Sequence, residues 1–189
     1  MKLPIVAYGD PVLRKKAEDI PAEYPELQTL ISNMFDTMYN ASGVGLAAPQ
    51  VGLAIRLFVI DLSDKDEPGY ENFKKVFINA RILEEKGVLW DFNEGCLSIP
   101  DIREDVRRLD TIVVSYYDEN WVQHEETFDG MAARVIQHEY DHIEGKLFTD
   151  KLSPLRRAML KSKFEAIKKG AIKVDYKMKF PQAAKGKKK

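Results

Sequence analysis

The chain has 189 residues, 44% of them hydrophobic and 31% charged, with a formal net charge of −1. That is length for one domain with a real core and a composition ordinary for a soluble globular protein. The balanced charge excludes a polyelectrolyte that grips nucleic acid over its whole surface, and the single cysteine, Cys96, excludes an internal disulfide.

The elements follow in chain order. The opening MKLPIVAYGDPVL has an apolar run broken by Pro4, Gly9, Asp10 and Pro11. It is too short and too interrupted for a signal peptide, and no window approaches a membrane span. Leu27, Leu30, Ile31, Met34, Phe35 and Met38 recur at three-and-four spacing and predict an amphipathic helix, with Gly43 a stop shortly after it. AIRLFVIDLS reads as a buried strand, DKDEPGYENFKK from Asp64 as a polar loop, and VFINARILEEKG as a second strand. DTIVVSYYDENWVQHEETF predicts a hairpin turning at Asp118, Glu119 and Asn120. A central helix is entered at Asp129 or Gly130 and ended at Gly145. A last helix has Ser153 as N-cap, Pro154 at its first position and Gly170 past its end, with Leu155, Met159, Leu160, Phe164 and Ile167 as its apolar face. The order predicts an α+β fold, a single domain over 1–181 with antiparallel or mixed sheets around the central helix, plus an N-terminal and a C-terminal helix.

The C-terminal segment carries its own signal. Lys168 to Lys189 holds nine lysines against one acid, Asp175, a net +8 on a chain whose total is −1. Ile172, Val174, Tyr176, Met178 and Phe180 alternate with Lys173, Asp175, Lys177 and Lys179. Period two predicts a strand over 172–180, laid on the domain or added at a sheet edge, with its lysine side blunting further pairing. Residues 182–189 read as a loose basic tail.

The central helix carries VIQHEYDHIEG, with His138, Glu139 and His142 in the order H-E-x-x-H. Two histidines four apart lie about 40° apart on a helix and can grip one metal ion. Met131 and Val135 continue the same stripe. A catalytic site of this kind needs a third protein ligand. The extended motif H-E-x-x-H-x-x-G-x-x-H fails, because Phe148 stands where its last histidine belongs. Glu165 on the last helix is a candidate, though its lysine neighbours suit a solvated residue. Cys96 is another: a thiolate is the better soft-metal ligand, yet a lone cysteine is more often a small buried hydrophobe. His124, in the hairpin, reads as an exposed strand residue.

Three stretches together resemble one family. GVGLAAPQ (Gly43 to Gln50), EGCLSIP (Glu94 to Pro100) and QHEYDH (Gln137 to His142) are similar, in order and spacing, to the three signature motifs of bacterial-type peptide deformylases. The resemblance runs from about the N-terminus to KLFTDKLSPL. It implies that Cys96, His138 and His142 hold one divalent metal ion, Fe2+ most of all, with Zn2+, Ni2+ or Co2+ as substitutes. It implies a hydrolase acting on the formyl group of the N-terminal N-formylmethionine of nascent polypeptides, releasing formate. Glu139 is then the general base turned general acid, and the Gln50 side-chain amide and the Leu97 backbone N–H stabilise the oxyanion. Gly43 and Gly45 suit close approach by a substrate backbone. Val44, Phe92, Met131 and Val135 would line the slot for the methionine side chain, although each suits plain core equally well. Arg103 matches a position that holds substrate backbone; its other reading is a surface arginine. Arg134 departs from the family pattern, which is often apolar there, and bears on the pocket's outer edge.

The same reading predicts a cytoplasmic protein that works on new chains, with no membrane and no DNA as partners. The basic C-terminus is either a solubility tail or a weak, salt-sensitive contact with the ribosome. Two readings from other classes stand beside it: a metallopeptidase using His138, His142 and Glu165, and a metal-stabilised binding module without turnover.

Overall fold

Strand β3 (Leu57–Asp61) is apolar on both faces, and the architecture follows from that. In the computed structural model, which describes residues 1–64 and 69–182, Leu57 and Val59 pack against one helix layer and Phe58 and Ile60 against another. The first layer is α1 (Leu27–Asn40), which buries Ile31, Met34, Phe35 and Met38 as its periodicity predicts. The second is α2 (Gly130–Ile143), the helix of the H-E-x-x-H motif.

Between them lies an antiparallel sheet of order β2-β3-β4-β5-β6, with β2 at Gly45–Ala47, β4 at Lys74–Cys96, β5 at Ile99–Tyr117 and β6 at Gln123–Asp129. The predicted strands and hairpin are present, and helices with an antiparallel sheet make the fold α+β. What the sequence concealed is the length of β4 and β5. They pair from Ile78↔Tyr117 to Cys96↔Ile99, so residues 78–117 form a long hairpin. Much of it is charged and half exposed, and four shifts of register interrupt it. Neither side presents the clean alternation that announces a strand.

α2 is buried nearly all round, Ala132, Ala133, Ile136 and Ile143 included. It is a central helix rather than a surface one with an apolar stripe. Gly145 follows it with φ +70°, and a β-carbon there would meet the Arg14 carbonyl oxygen at 2.8 Å.

The C-terminal expectations need two corrections. The last helix is two helices, α3 (Pro154–Met159) and α4 (Lys161–Lys169), meeting at Leu160. Leu160, Phe164 and Ile167 are buried, whereas Leu155 and Met159 are 73% and 63% exposed. At 100° per residue the exposed pair lies about 120° round from the buried trio, too far to share a face. The predicted strand over 172–180 shrinks to β7 (Met178–Lys179), which pairs in parallel with β1 (Ile5–Val6). The burial alternation nevertheless runs unbroken from Ala171 to Phe180, with every even-numbered residue half-buried and every odd one exposed. The segment is laid on the body through its apolar side, and only its end finds a strand to pair with. Of the predicted basic tail, 183–189 lies outside the described residues.

Candidate metal centre

β4 and β5 join through a turn of two residues, Leu97 and Ser98. Cys96 is therefore the last residue of β4, held by the ladder on one side and by the tight turn on the other. His138 and His142 sit one helical turn apart on α2, their rings 5.2 Å from centre to centre. One donor atom each from Cys96, His138 and His142 lies within 4.8 Å of the others, and Cys96 Sγ is 3.4 Å from His142 Nε2. Among the described residues this is the group of three that could hold an ion. Sulfur and two imidazole nitrogens suit a borderline or soft divalent metal.

The donor set fits such an ion on further grounds. Glu94 Oε2 lies 2.9 Å from His138 Nδ1. That contact fixes the proton on Nδ1 and leaves Nε2 free as a ligand. Glu139 Oε2 is buried without a hydrogen-bond partner, and an orphaned polar atom at such a place calls for a ligand or water. Without a cation the two imidazoles divide. Burial lowers His138, but hydrogen bonds to Cys96 and Glu94 outweigh it and raise its pKa; burial and the neighbouring His138 push His142 down. Burial above all pushes the Glu139 carboxyl up to about 7, with Glu94 adding to it and His138 opposing.

Gln50 accepts the Ala47 N–H on Oε1 at 2.9 Å, which turns its amide nitrogen toward Cys96 Sγ and Ser98 Oγ, 3.4 Å from each. A cleft of about 690 Å³ opens above these groups. Gly43, Val44, Gly45, Gln50, Phe92, Leu97, Arg103, Met131, Val135 and Glu139 all line it, together with Cys96 and His138. His142 lies beneath, 1% exposed. The two glycines already have neighbours in the space they leave. A β-carbon at Gly43 would meet the Leu97 side chain at 2.8 Å, and one at Gly45 would meet the Glu139 side chain. Arg103 reaches back to Asn93, donating Nε to its side chain at 3.0 Å.

The alternative ligand Glu165 lies elsewhere, and the reading of His124 as exposed needs correcting. Glu165 binds Lys168 and borders a different hollow, beside Tyr8, Arg14 and Asp150. His124 stacks on Tyr116 and contacts Asp118 at 2.8 Å, half-buried in β6 rather than exposed.

Arg134 lines the cleft, as its place in the sequence suggested, but its guanidinium is engaged within the protein. It is 1% exposed. Its Nη1 donates to Glu94 Oε1 and the Val106 carbonyl, its Nη2 to the Trp90 carbonyl, and its guanidinium lies 4.5 Å from the Trp90 ring centre. Arg108 binds the same Glu94 through two bonds, at 2.7 and 2.9 Å, and reaches Asp141 with its third nitrogen. Two arginines and two acids thus form a buried neutral network behind His138. Sequence reasoning passed over Glu94, Arg108 and Asp141. The signal available was Glu94's place two residues before Cys96 and an arginine on the buried helix, which demands an acid.

Comparison with known proteins points to one family. The family model described as polypeptide deformylase matches residues 2–158. The peptide deformylase of Christiangramia forsetii is 59% identical over 194 residues, covering 98% of this chain and 99% of that one. That of Flavobacterium johnsoniae is 56% identical and covers 98% and 100%. Among solved structures, a peptide deformylase from Legionella pneumophila superposes with a TM-score of 0.80 at 42% identity, over 92% of this chain and 99% of that one.

Proposed function

The chain belongs to the polypeptide deformylase family, and from that premise we propose how its own residues divide the work. It is a metal-dependent hydrolase that removes the formyl group from the N-terminal methionine of nascent polypeptides. The observation that carries the assignment of residues is the convergence of Cys96, His138 and His142, with the buried Glu139 beside them.

Cys96, His138 and His142 are the ligands. A bound divalent ion supplies Lewis acidity, polarising the formyl oxygen and acidifying a water. Glu139 takes the proton of the attacking water as the new bond forms to the formyl carbon. Its carboxyl is buried beside the ligands with one oxygen free of any hydrogen bond, which places it for that task. When the carbon–nitrogen bond breaks, Glu139 passes the proton to the departing amine, and formate and a free N-terminus result. The Gln50 side-chain amide and the Leu97 N–H stabilise the oxyanion that forms between these steps. Their support is the fixed orientation of Gln50 and the tight turn that carries Leu97.

Val44, Phe92, Met131 and Val135 line the methionine slot, and Gly43, Gly45 and Arg103 border the path of the substrate backbone. β2 is an edge strand of the sheet, so an extended peptide has a free edge to lie along at Gly45. Iron(II) is the working ion of this reading. A thiolate–imidazole set accepts zinc, nickel and cobalt as well, and an accessible thiolate exposes the site to oxidation. A cytoplasmic setting and a weak ribosome contact through the basic C-terminus complete the reading; among the described residues no helix is long and apolar enough to cross a membrane. Deleting 183–189 should weaken co-sedimentation with ribosomes at low salt, and unchanged co-sedimentation would remove the contact from the account. The decisive test of the whole is formate release from formyl-Met-Ala-Ser by protein prepared anaerobically with iron. No release, with metal bound, would refute it.

A further inference from the structure

The two ends of the chain meet at the turn that carries the third ligand. Ile5 N–H donates to the Lys177 carbonyl and Ala7 N–H to the Lys179 carbonyl, both at 2.9 Å. One residue further on, Tyr8 N–H donates to the Ser98 carbonyl at 2.8 Å. From the other end, the Tyr176 hydroxyl donates to the Leu97 carbonyl, also at 2.8 Å. Both carbonyls of the Leu97–Ser98 turn are therefore held by segments remote in sequence. Lys173, Val174, Asp175 and Tyr176 also line the cleft over Cys96 and His138. The segment that period two announced is a wall of the active site.

The peptide unit between Leu97 and Ser98 is the soft part of a two-residue turn. Cys96 and Ile99 are fixed by the ladder, while the central peptide can rotate between turn types, which differ chiefly in its orientation. Such a rotation carries the Leu97 carbonyl and the Ser98 N–H, and it is coupled to the Leu97 N–H of the preceding peptide only through the backbone angles of Leu97 itself. A hydrogen bond to that carbonyl holds one orientation. Burial raises the Tyr176 phenol, so it stays protonated and remains a donor.

We propose that Tyr176 is a positioning residue for the deformylation reaction, anchoring the Leu97 carbonyl and so the backbone angles of Leu97, on which the aim of the N–H of the same residue at the oxyanion depends. The inference rests on the reading of Leu97 as an oxyanion donor. It reaches the chemistry from a segment at the far end of the chain.

The test is Tyr176→Phe, which keeps the ring and removes the donor. In the iron-loaded enzyme kcat should fall roughly fivefold, the worth of one ordinary hydrogen bond, with KM for formyl-Met-Ala-Ser and metal content unchanged. In the metal-free protein the Leu97 and Ser98 amides should exchange faster by a similar factor while the rest of the sheet keeps its protection. Tyr116→Phe is the control. It loses a bond of the same 2.8 Å length, to Glu126, and should lower Tm while leaving kcat and Leu97 exchange alone. If Tyr176→Phe behaves as Tyr116→Phe does, Tyr176 is only structural and the proposal is overturned. The exchange arm needs no activity. Wild-type protein that binds iron and releases no formate would refute the functional reading, and unchanged Leu97 exchange in Tyr176→Phe would independently refute the positioning role.

Discussion

The side chain of Glu139 occupies the place where a side chain at Gly45 would stand: a β-carbon there would lie 2.8 Å from Glu139 Cδ and 2.9 Å from its Cγ. The glycine of the first motif and the acid of the third are thus two halves of one fit between β2 and α2. The glycine's purpose is to admit the enzyme's own carboxylate, not only a substrate backbone. Gly45→Ala should therefore displace Glu139 and cost turnover on the scale of the acid–base contribution, about 100-fold, while the three ligands still hold metal. Formate release alongside metal analysis checks this, and an alanine variant with normal kcat would disprove the coupling.

Ligands and base separate by substitution. Cys96→Ala should lose both metal and deformylation. Glu139→Gln should keep metal and lose about 10²- to 10⁴-fold in kcat. Glu165→Ala, removing an acid that faces Lys168, should change neither. Metal loss in Glu165→Ala with metal retained in Cys96→Ala would favour the metallopeptidase instead. Full turnover in Glu139→Gln would leave the reaction without its proton carrier.

The pH dependence of the metal-free protein follows from Glu139. Burial raises its carboxyl to about 7, against about 4.3 in an unfolded chain. The folded state thus favours the protonated form. The contribution to stability is full below the unfolded value and is lost as pH rises through 7. At pH 8 the buried charge should cost about 4 kcal/mol, from 1.36 kcal/mol per pKa unit. Glu139→Gln should accordingly stabilise the metal-free protein at pH 8 and leave it nearly unchanged at pH 4.5. Urea titrations at the two pH values measure this, and equal effects at both would contradict a raised carboxyl. A bound cation relieves the same cost, so metal affinity should rise with pH over this range.

The sequence disclosed the elements with clean periodicity and the residues inside compact motifs. α1, β3, α2 and the β5–β6 hairpin are where Leu27, Leu57, His138 and Thr111 place them, and the motif residues do converge on one cleft. What stayed hidden depends on contacts between distant segments. The charged length of β4 and β5 is stabilised by pairing with each other, which no local pattern records. The alternation of Ile172 to Phe180 gave the buried side correctly but not its hydrogen-bond partner, because a ladder needs a neighbouring strand and only β1 is in reach. Tyr176 reads as one more apolar position until the turn at Leu97 is seen beside it.

Arg134 and Glu94 set the acid stability of the protein. Burial raises the Glu94 carboxyl, but hydrogen bonds from His138 and Arg108 and the charge of Arg108 outweigh it and hold the group well below the usual range. Arg134 adds a further donor at 2.9 Å. A depressed carboxyl contributes stability above the unfolded value of about 4.3 and loses it as pH falls toward the folded one. The unfolding free energy should therefore decline below about pH 4, and Glu94→Gln should flatten that decline while lowering stability at pH 7. Arg134→Met removes one donor from Glu94 and leaves the Trp90 and Val106 carbonyls unpaired. Unsatisfied buried groups cost about 1–3 kcal/mol each, so a loss of that order is expected at pH 7. Arg108 still holds Glu94 by two bonds in this variant, so His138 should keep its orientation, and metal and most turnover should survive. Denaturant midpoints at pH 7 and pH 4, read with metal content, decide the matter. An Arg134→Met protein of wild-type stability would show that the buried guanidinium contributes nothing net, and one that folds normally yet loses metal would show that it, rather than Arg108, orients the histidine.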